Sequence, residues 1–294
     1  MKTIICYFSG TGNTRRVVNK FVEHFRMLGN EVEAVQIEKT DTINLDDYDT
    51  VGIAYPIHAF NAPELVLKFV KRLQKAKNKK NAYIIKTSGE PLWLNNISSL
   101  KLKSLLKKKN LIVKNEYHYC MPYNIIFRHT DKMAYNMWQT AQQLIPIDCK
   151  EILDGKEVKL KRFPFGRFLA WIFRIEYWGG RFNGKRYKVN NDCVKCGRCV
   201  LICPTNNITM EDGELKFGKN CMMCMRCSFL CHKNAIKIGL FEKWKVNGVY
   251  NFNNPNGDEG THKDYCKKSY IKYFKRSEEK IKNNTIKFES EEVV

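Results

Sequence analysis

The chain has 294 residues, 44% of them apolar and 28% charged, enough to bury one large or two modest cores, so a globular protein is expected. No uncharged apolar run is long enough to span a bilayer, and MKTIICYFSGTGNT passes from a short apolar strand into a glycine turn without a signal-cleavage pattern; the expected location is the cytoplasm. The formal charge of +21 admits an acidic protein, anionic lipid or nucleic acid as partner, but lysine and asparagine run through the whole chain, as in KAKNKKN (75–81) and LLKKKN (105–110), so no nucleic-acid role is expected from charge alone.

From the amino terminus, KTIICYF, EVEAVQI, TVGIAY, AYIIKTS and LIVKNEYHY read as five short strands rich in branched and aromatic residues. Between them lie helical patterns, clearest in Val17, Val18, Phe21, Val22, Phe25 and Leu28. Alternation of this kind predicts an α/β domain built on a doubly wound parallel sheet over residues 1–155, closed by a helix from about Asp131 to Ile152. A linker follows at 156–184. Its aromatic and basic stretch RFPFGRFLAWIFRIEYWGGRFNGKRY (162–187) is either a patch that meets a membrane or partner, or a connector that docks the domains; Arg167, Arg174 and Glu176 interrupt the apolar stripe and favour the connector. Residues 185–240 form a small cysteine-rich domain, and 241–294 a basic extension with a loop at NNPNGDEG (253–260) and a solvated helix after it.

Eight of the twelve cysteines fall between Cys193 and Cys231. In a reducing compartment such clustering points to metal or cluster ligation rather than disulfides. CVKCGRCVLICP has the spacing C-x2-C-x2-C-x3-C-P of bacterial ferredoxins, in which the fourth cysteine of each run serves the other cluster. Cys193, Cys196, Cys199 and Cys203 recur 28 positions later as Cys221, Cys224, Cys227 and Cys231, so two [4Fe-4S] clusters are expected. Carried over, the pattern gives Cys193, Cys196, Cys199 and Cys231 to one cluster and Cys221, Cys224, Cys227 and Cys203 to the other. Zinc is the competitor, since paired C-x2-C units also bind it, but it would leave a surplus cysteine in each triplet. His232 stands where proline follows Cys203: either a neutral surface substitution or a titratable ring that tunes the cluster. Cys6, Cys120, Cys149 and Cys266 fit neither run and read as buried small hydrophobes.

YFSGTGNTRR (7–16) follows the first strand and opens a helix, where an open parallel sheet binds phosphate. It lacks the lysine of a triphosphate loop and the third glycine of a dinucleotide fingerprint; its hydroxyls and amides suit one terminal phosphomonoester. Ser9-Gly10-Thr11-Gly12-Asn13-Thr14 resembles the phosphate loop of flavodoxins, and the chain as a whole resembles the flavodoxin-domain plus bacterial 2[4Fe-4S] ferredoxin-domain fusion proteins of anaerobic, clostridial-type bacteria. The resemblance implies a flavodoxin-like five-stranded sheet followed by a small α+β ferredoxin-type domain. It also implies FMN, with its phosphate on Ser9, Thr11, Gly12, Asn13 and Thr14. The ring would lie between YPIHAFNAP (55–63) and TSGEPLWLNN (87–96), against Tyr55, Pro56, His58, Phe60, Ser88, Gly89 and Trp93. Bland alternatives are a strand cap for Tyr55, core for Phe60 and cover for an apolar edge for Trp93. His58 is the candidate catalytic residue, as a proton or hydrogen-bond donor to a substrate; Arg15 and Arg16 read as a solvated face.

A flavin exchanges one or two electrons and a cluster one. The reading is therefore an oxidoreductase that couples a one-electron carrier, such as an acidic ferredoxin or flavodoxin steered by the basic surface, to two-electron reduction of a small molecule. Its rival is a substrate-free relay between protein partners.

Overall fold

The computed structural model describes residues 1–40, 42–161, 164–258 and 264–291, with side chains left aside at 264–266 and 285–291. Strands β1 (Lys2–Tyr7), β2 (Glu31–Gln36), β3 (Thr50–Pro56), β4 (Lys80–Ser88) and β5 (Leu111–Cys120) form one parallel sheet in the order β2-β1-β3-β4-β5. This is the flavodoxin-like order, with its switch point between β1 and β3. Alternation along the strands sends Ile5, Tyr7, Ala54, Tyr83 and Ile85 into a core shared with helices α1 (Asn13–Met27) and α4 (Asp131–Leu153). Ile4, Cys6, Ile53, Tyr55 and Ile84 pack in a second core with α2 (Glu64–Arg72) and α3 (Leu100–Lys108). Strand residues buried on both faces explain why the strands read as continuous apolar runs.

Two connecting helices, α5 (Gly166–Ile172) and α6 (Ile175–Gly184), lead to the cysteine-rich unit. They dock through small and polar groups: Tyr177 donates to the Ala62 carbonyl at 2.6 Å, and Arg181 binds both Glu64 oxygens at 2.6 and 2.9 Å. A Cβ on Gly184 would lie 2.1 Å from Cys221 Cβ, so only glycine lets α6 approach the second cysteine run this closely. Phe173 also turns inward, its ring centroid 4.8 Å from that of Phe60, whereas Phe168, Trp171, Trp178 and Phe182 are exposed.

In the cysteine-rich unit, β6 (Lys188–Val189) pairs with β9 (Ile236–Lys237) and β7 (Ile208–Glu211) with β8 (Glu214–Phe217), both antiparallel. One-turn helices α7 (Arg198–Leu201) and α8 (Arg226–Phe229) open at the third cysteine of each triplet. The internal repeat is written in the backbone as well. Positive φ angles occur at Lys195 and Met223, Gly197 and Met225, and Asn206 and Asn234, each pair 28 residues apart.

Tyr187, Met225, Phe229, Ile236, Tyr250 and Phe252 join the buried cluster around α1 and α4, so the two units share a core. Helix α9 (Asp264–Glu291) arises where a solvated helix was expected, but it packs on α4. Tyr270 is fully buried, and Lys280 pairs with Asp148 at 2.5 Å and Glu151 at 2.7 Å. Cys6, Cys120 and Cys149 are buried; the Cys266 side chain lies outside those described. Among the described residues, no helix is long and apolar enough to cross a membrane.

Candidate functional site

A cavity of about 580 Å³ opens where the loops after β1, β3, β4 and β5 converge, at the carboxyl ends of the strands. Of the residues expected to hold a flavin, Ser9, Thr11, Asn13, Thr14, Pro56, His58, Phe60, Ser88 and Gly89 line it. Gly12 does not, but caps α1 at φ +109°, a conformation that suits glycine. Tyr55 lies elsewhere: strand parity turns it into the α2/α3 core, fully buried, its hydroxyl 3.4 Å from Ser98 Oγ. Trp93 is exposed on a 3-10 turn, and its neighbours Leu92 and Asn95 line the cavity instead. Sequence reasoning missed the wall supplied by Met121 to Ile126 after β5. The rule that points to the loops after β3 and β4 points there too.

The phosphate loop is shaped by its own contacts. Ser9 Oγ accepts from the Gly12 and Arg15 amides, both at 3.2 Å. Asn13 Nδ2 donates to the Pro122 carbonyl at 2.7 Å, Asn124 Nδ2 to Thr11 Oγ at 3.2 Å, and the Thr14 and Thr87 hydroxyls meet at 2.8 Å. Helix α1 has no acidic residue in its first turn but carries Arg15 and Arg16 there, an arrangement the helix dipole disfavours and a bound anion would offset. Arg16 is not the solvated group expected; its guanidinium stacks 4.1 Å from the Phe252 ring centroid and 5.3 Å from that of Trp138.

These residues fit FMN on two counts. The loop offers a positive helix end to a phosphate. Glu90, on the cavity wall, is buried and its Oε1 has no hydrogen-bond partner, leaving an acceptor for a ring N–H, while Tyr123 donates to its Oε2 at 2.7 Å. Burial raises the Glu90 carboxyl above the ordinary value.

His58 is partly buried, its side chain 12% exposed, and desolvation holds it down to about 4. Its Nδ1 stands 4.0 Å from Glu176 Oε1 on α6, too far for a hydrogen bond. Burial, with Glu64 nearby, raises Glu176 to about 7, so at neutral pH a neutral imidazole faces a carboxyl near half protonation. This pair also lines a second cavity of about 250 Å³ bordered by Glu64, Lys68 and Arg181. Behind Ser88, His118 Nε2 lies 2.7 Å from Ser88 Oγ and is held near 3 by burial and Lys86. Burial also lowers Lys86 to about 8; its Nζ is 3.6 Å from Glu116 Oε1.

The second cysteine run abuts the phosphate loop. A Cβ on Gly10 would lie 2.5 Å from the Cys224 carbonyl oxygen, so glycine is required there for contact rather than for conformation. Arg226, between Cys224 and Cys227, donates to the carbonyls of Gly10 at 3.1 Å and Ser9 at 2.7 Å. Met223 lines the flavin-loop cavity, as do Phe241, Trp244 and the α6 residues Glu176, Gly179 and Gly180, so the cysteine-rich unit and α6 wall the cavity together.

Two small spaces lie within the cysteine-rich unit. One is lined by Cys193, Cys196, Cys199, Cys227 and Cys231; the other by Cys203, Cys221, Cys224 and Cys227, so that Cys227 stands between the two. The fourth cysteine of each run thus lines the space of the other run, the crossing that the spacing predicts. Amides of Asn207, Ala235 and Met223 donate to the sulfurs of Cys203, Cys231 and Cys221 at 3.2, 3.4 and 3.4 Å. Such bonds stabilise thiolate sulfur. Among the described residues, no three His, Cys, Asp or Glu side chains converge as one metal ion would require; the thiols surround volumes, which suits a cluster with a body. His232 is exposed beside the first space.

Residues 4–111 match the family model described as a flavodoxin domain, and residues 187–209 that of a 4Fe-4S binding domain. No curated protein matches the chain. Similar solved structures include a short-chain flavodoxin associated with a non-canonical PDU bacterial microcompartment (17% identity, 52% of this chain, 98% of that one, TM-score 0.40). Two others are a Streptococcus pneumonia TIGR4 flavodoxin (12%, 52% and 99%, TM-score 0.40) and oxidised flavodoxin 1 from Bacillus cereus (16%, 51% and 98%, TM-score 0.39). Residues 4–111 thus carry a flavodoxin domain, which implies FMN, and residues 187–209 a 4Fe-4S binding domain, which implies an iron-sulfur cluster.

Proposed function

We propose that the protein is an oxidoreductase that passes electrons between two [4Fe-4S] clusters and FMN, coupling a one-electron protein carrier to two-electron reduction of a small molecule. The observation that carries this reading is the contact of Gly10, in the phosphate loop, with the Cys224 carbonyl, which leaves no intervening layer between the two redox sites. In this reading Cys193, Cys196, Cys199 and Cys231 hold the outer cluster, and Cys203, Cys221, Cys224 and Cys227 hold the inner one beside the flavin. When bound, FMN supplies the exchange between one-electron and two-electron steps.

The protein's own groups orient and protonate. Ser9, Thr11, Gly12, Asn13 and Thr14 would hold the phosphate, and the unpartnered Oε1 of Glu90 would accept from a ring N–H. Reducing an organic group by two electrons consumes protons, which clusters do not carry. The Glu176 carboxyl, near half protonation at neutral pH, stands 4.0 Å from His58 and can give up or take a proton there, and the second cavity that the pair also lines supplies a route from water. The wall of α6, Phe241 and Trp244 over the flavin loops supports an enzyme over a relay, which would expose the ring edge to a partner. Near the outer cluster Cys196, Val194 and Leu201 are exposed, a surface suited to docking an acidic redox protein; the same groups serve electron flow in the reverse direction.

An anaerobic redox titration of the reconstituted protein, following flavin absorbance and cluster paramagnetism together, tests this reading. Flavin reduction in a single two-electron step, with signals from two clusters, is expected. Two well-separated one-electron flavin steps would favour the relay, and absence of either cofactor's signal would overturn the assignment.

A further inference from the structure

The segment that joins the two units is amphipathic in the wrong sense for a connector. From Gly166 to Gly184 the backbone stays helical, with one tight turn at 173–174 between α5 and α6. Phe168, Trp171, Ile172, Ile175, Trp178 and Phe182 recur at spacings of three and four, which places them on one face. That face is turned to solvent: Phe168, Trp171, Ile175, Trp178 and Phe182 are each between 57% and 73% exposed. The opposite, buried face is made of Gly166, Ala170, Gly180, Asn183 and Gly184.

The charges that break the apolar stripe in the sequence do not break it in space. Glu176 turns inward to His58 at 4.0 Å, Arg181 is held by Glu64 at 2.6 Å, and the buried Nε of Arg174 faces away from water. The exposed charged side chains described from 164 to 190 are Arg167, Lys185, Arg186 and Lys188, all basic. A ridge of tryptophan, phenylalanine and isoleucine on a segment whose own exposed charges are all cations has the composition that lies in the headgroup region of a bilayer: rings enter the acyl boundary and cations meet anionic lipid.

We propose that the α5–α6 ridge is a monotopic docking surface for an anionic lipid bilayer. The occupant follows from shape and charge together. The ridge is convex, formed by side chains standing off a helix, and a deformable headgroup layer receives such projections without a matching groove. The net charge of +21 draws the whole molecule toward a negative surface. Ile175 belongs to the ridge and also lines the flavin-loop cavity, so the docked face adjoins the redox site.

The test is co-sedimentation of the reconstituted protein with phosphatidylglycerol–phosphatidylcholine vesicles and with pure phosphatidylcholine vesicles, alongside tryptophan quenching by brominated acyl chains. Binding to the anionic vesicles is expected, with quenching and with a residual apolar component at high salt. The double variant Trp171→Ser/Trp178→Ser should bind about a hundredfold more weakly, with flavin and iron content unchanged because both rings stand in water. The proposal is overturned if the wild type stays in solution, or if the variant binds equally well, since the general basic charge would then suffice. It is also overturned if sedimentation equilibrium finds a dimer that the variant dissolves, because a second copy would then cover the ridge. Should the variant lose its cofactors, quenching of the wild type decides alone: no quenching by brominated lipid refutes insertion.

Discussion

Replacing Arg226 by methionine removes the bond that ties the cysteine-rich unit to the phosphate loop. Its guanidinium donates to the carbonyls of Gly10 (3.1 Å), Ser9 (2.7 Å) and Ile202 (3.0 Å) and to Glu38 Oε1 (2.6 Å). The ion pair is largely enclosed, with side-chain exposures of 12% for Arg226 and 6% for Glu38, and Glu38 Oε2 already lacks a partner. Removing one member of such a pair strands the other, at a cost of about 3–5 kcal/mol. Most of that cost is the stranded carboxylate. The double variant Arg226→Met/Glu38→Leu should therefore recover about 2 kcal/mol of the loss, while still releasing FMN more readily because two loop carbonyls have lost their donor. Urea denaturation under argon, followed by flavin fluorescence and cluster absorbance, measures both effects. If Arg226→Met costs less than about 1 kcal/mol, or if removing Glu38 recovers nothing, the buried-pair reasoning is wrong.

Three further outcomes are expected. Cys231→Ser should cut iron content from about eight to about four per chain, with the spectroscopic signature of the cluster beside the flavin retained; loss of both clusters, or of the inner one alone, would refute the crossed assignment. Tyr55→Phe should leave FMN affinity within about twofold and cost at most about 1 kcal/mol, since only a long bond to Ser98 is lost; a large loss of flavin in equilibrium dialysis would return Tyr55 to the site. His118 titrates near 3 in the fold, lowered by burial and by Lys86, and near 6.5 when unfolded. The unfolded chain thus binds a proton that the folded chain refuses, so this contribution to stability is complete above pH 6.5 and declines as pH falls, by about 2 kcal/mol at pH 5. His118→Gln should narrow the difference between the unfolding free energies from urea denaturation at pH 7.5 and pH 5 by that amount, and an unchanged difference would refute it.

How much was legible depended on whether the signal was local. A doubly wound parallel sheet follows from five apolar runs alternating with helical patterns, while its order β2-β1-β3-β4-β5 was legible only through the resemblance of the phosphate loop. The cysteine sets follow from spacing, because a tight loop presenting three thiolates is itself a local structure. His58 and Phe60 were legible as members of the loop after β3. Tyr55 was not, because one step along a strand reverses the face, and no residue type marks which face a strand end turns to the ligand.

By itself, then, the sequence determined the elements, the phosphate loop and the cysteine ladders, all features in which residues close in the chain act together. Tertiary structure alone decided that Cys224 rests on Gly10, that Glu176 meets His58, and that Tyr270 of the C-terminal helix closes onto the Gly89 carbonyl at 2.5 Å. It also decided the sense of the linker helices. Amphipathic spacing fixes which residues share a face, but whether that face is buried depends on what the rest of the chain has left to cover. Here the cysteine-rich unit claims Gly180 and Gly184 of α6 and leaves Trp178 to water.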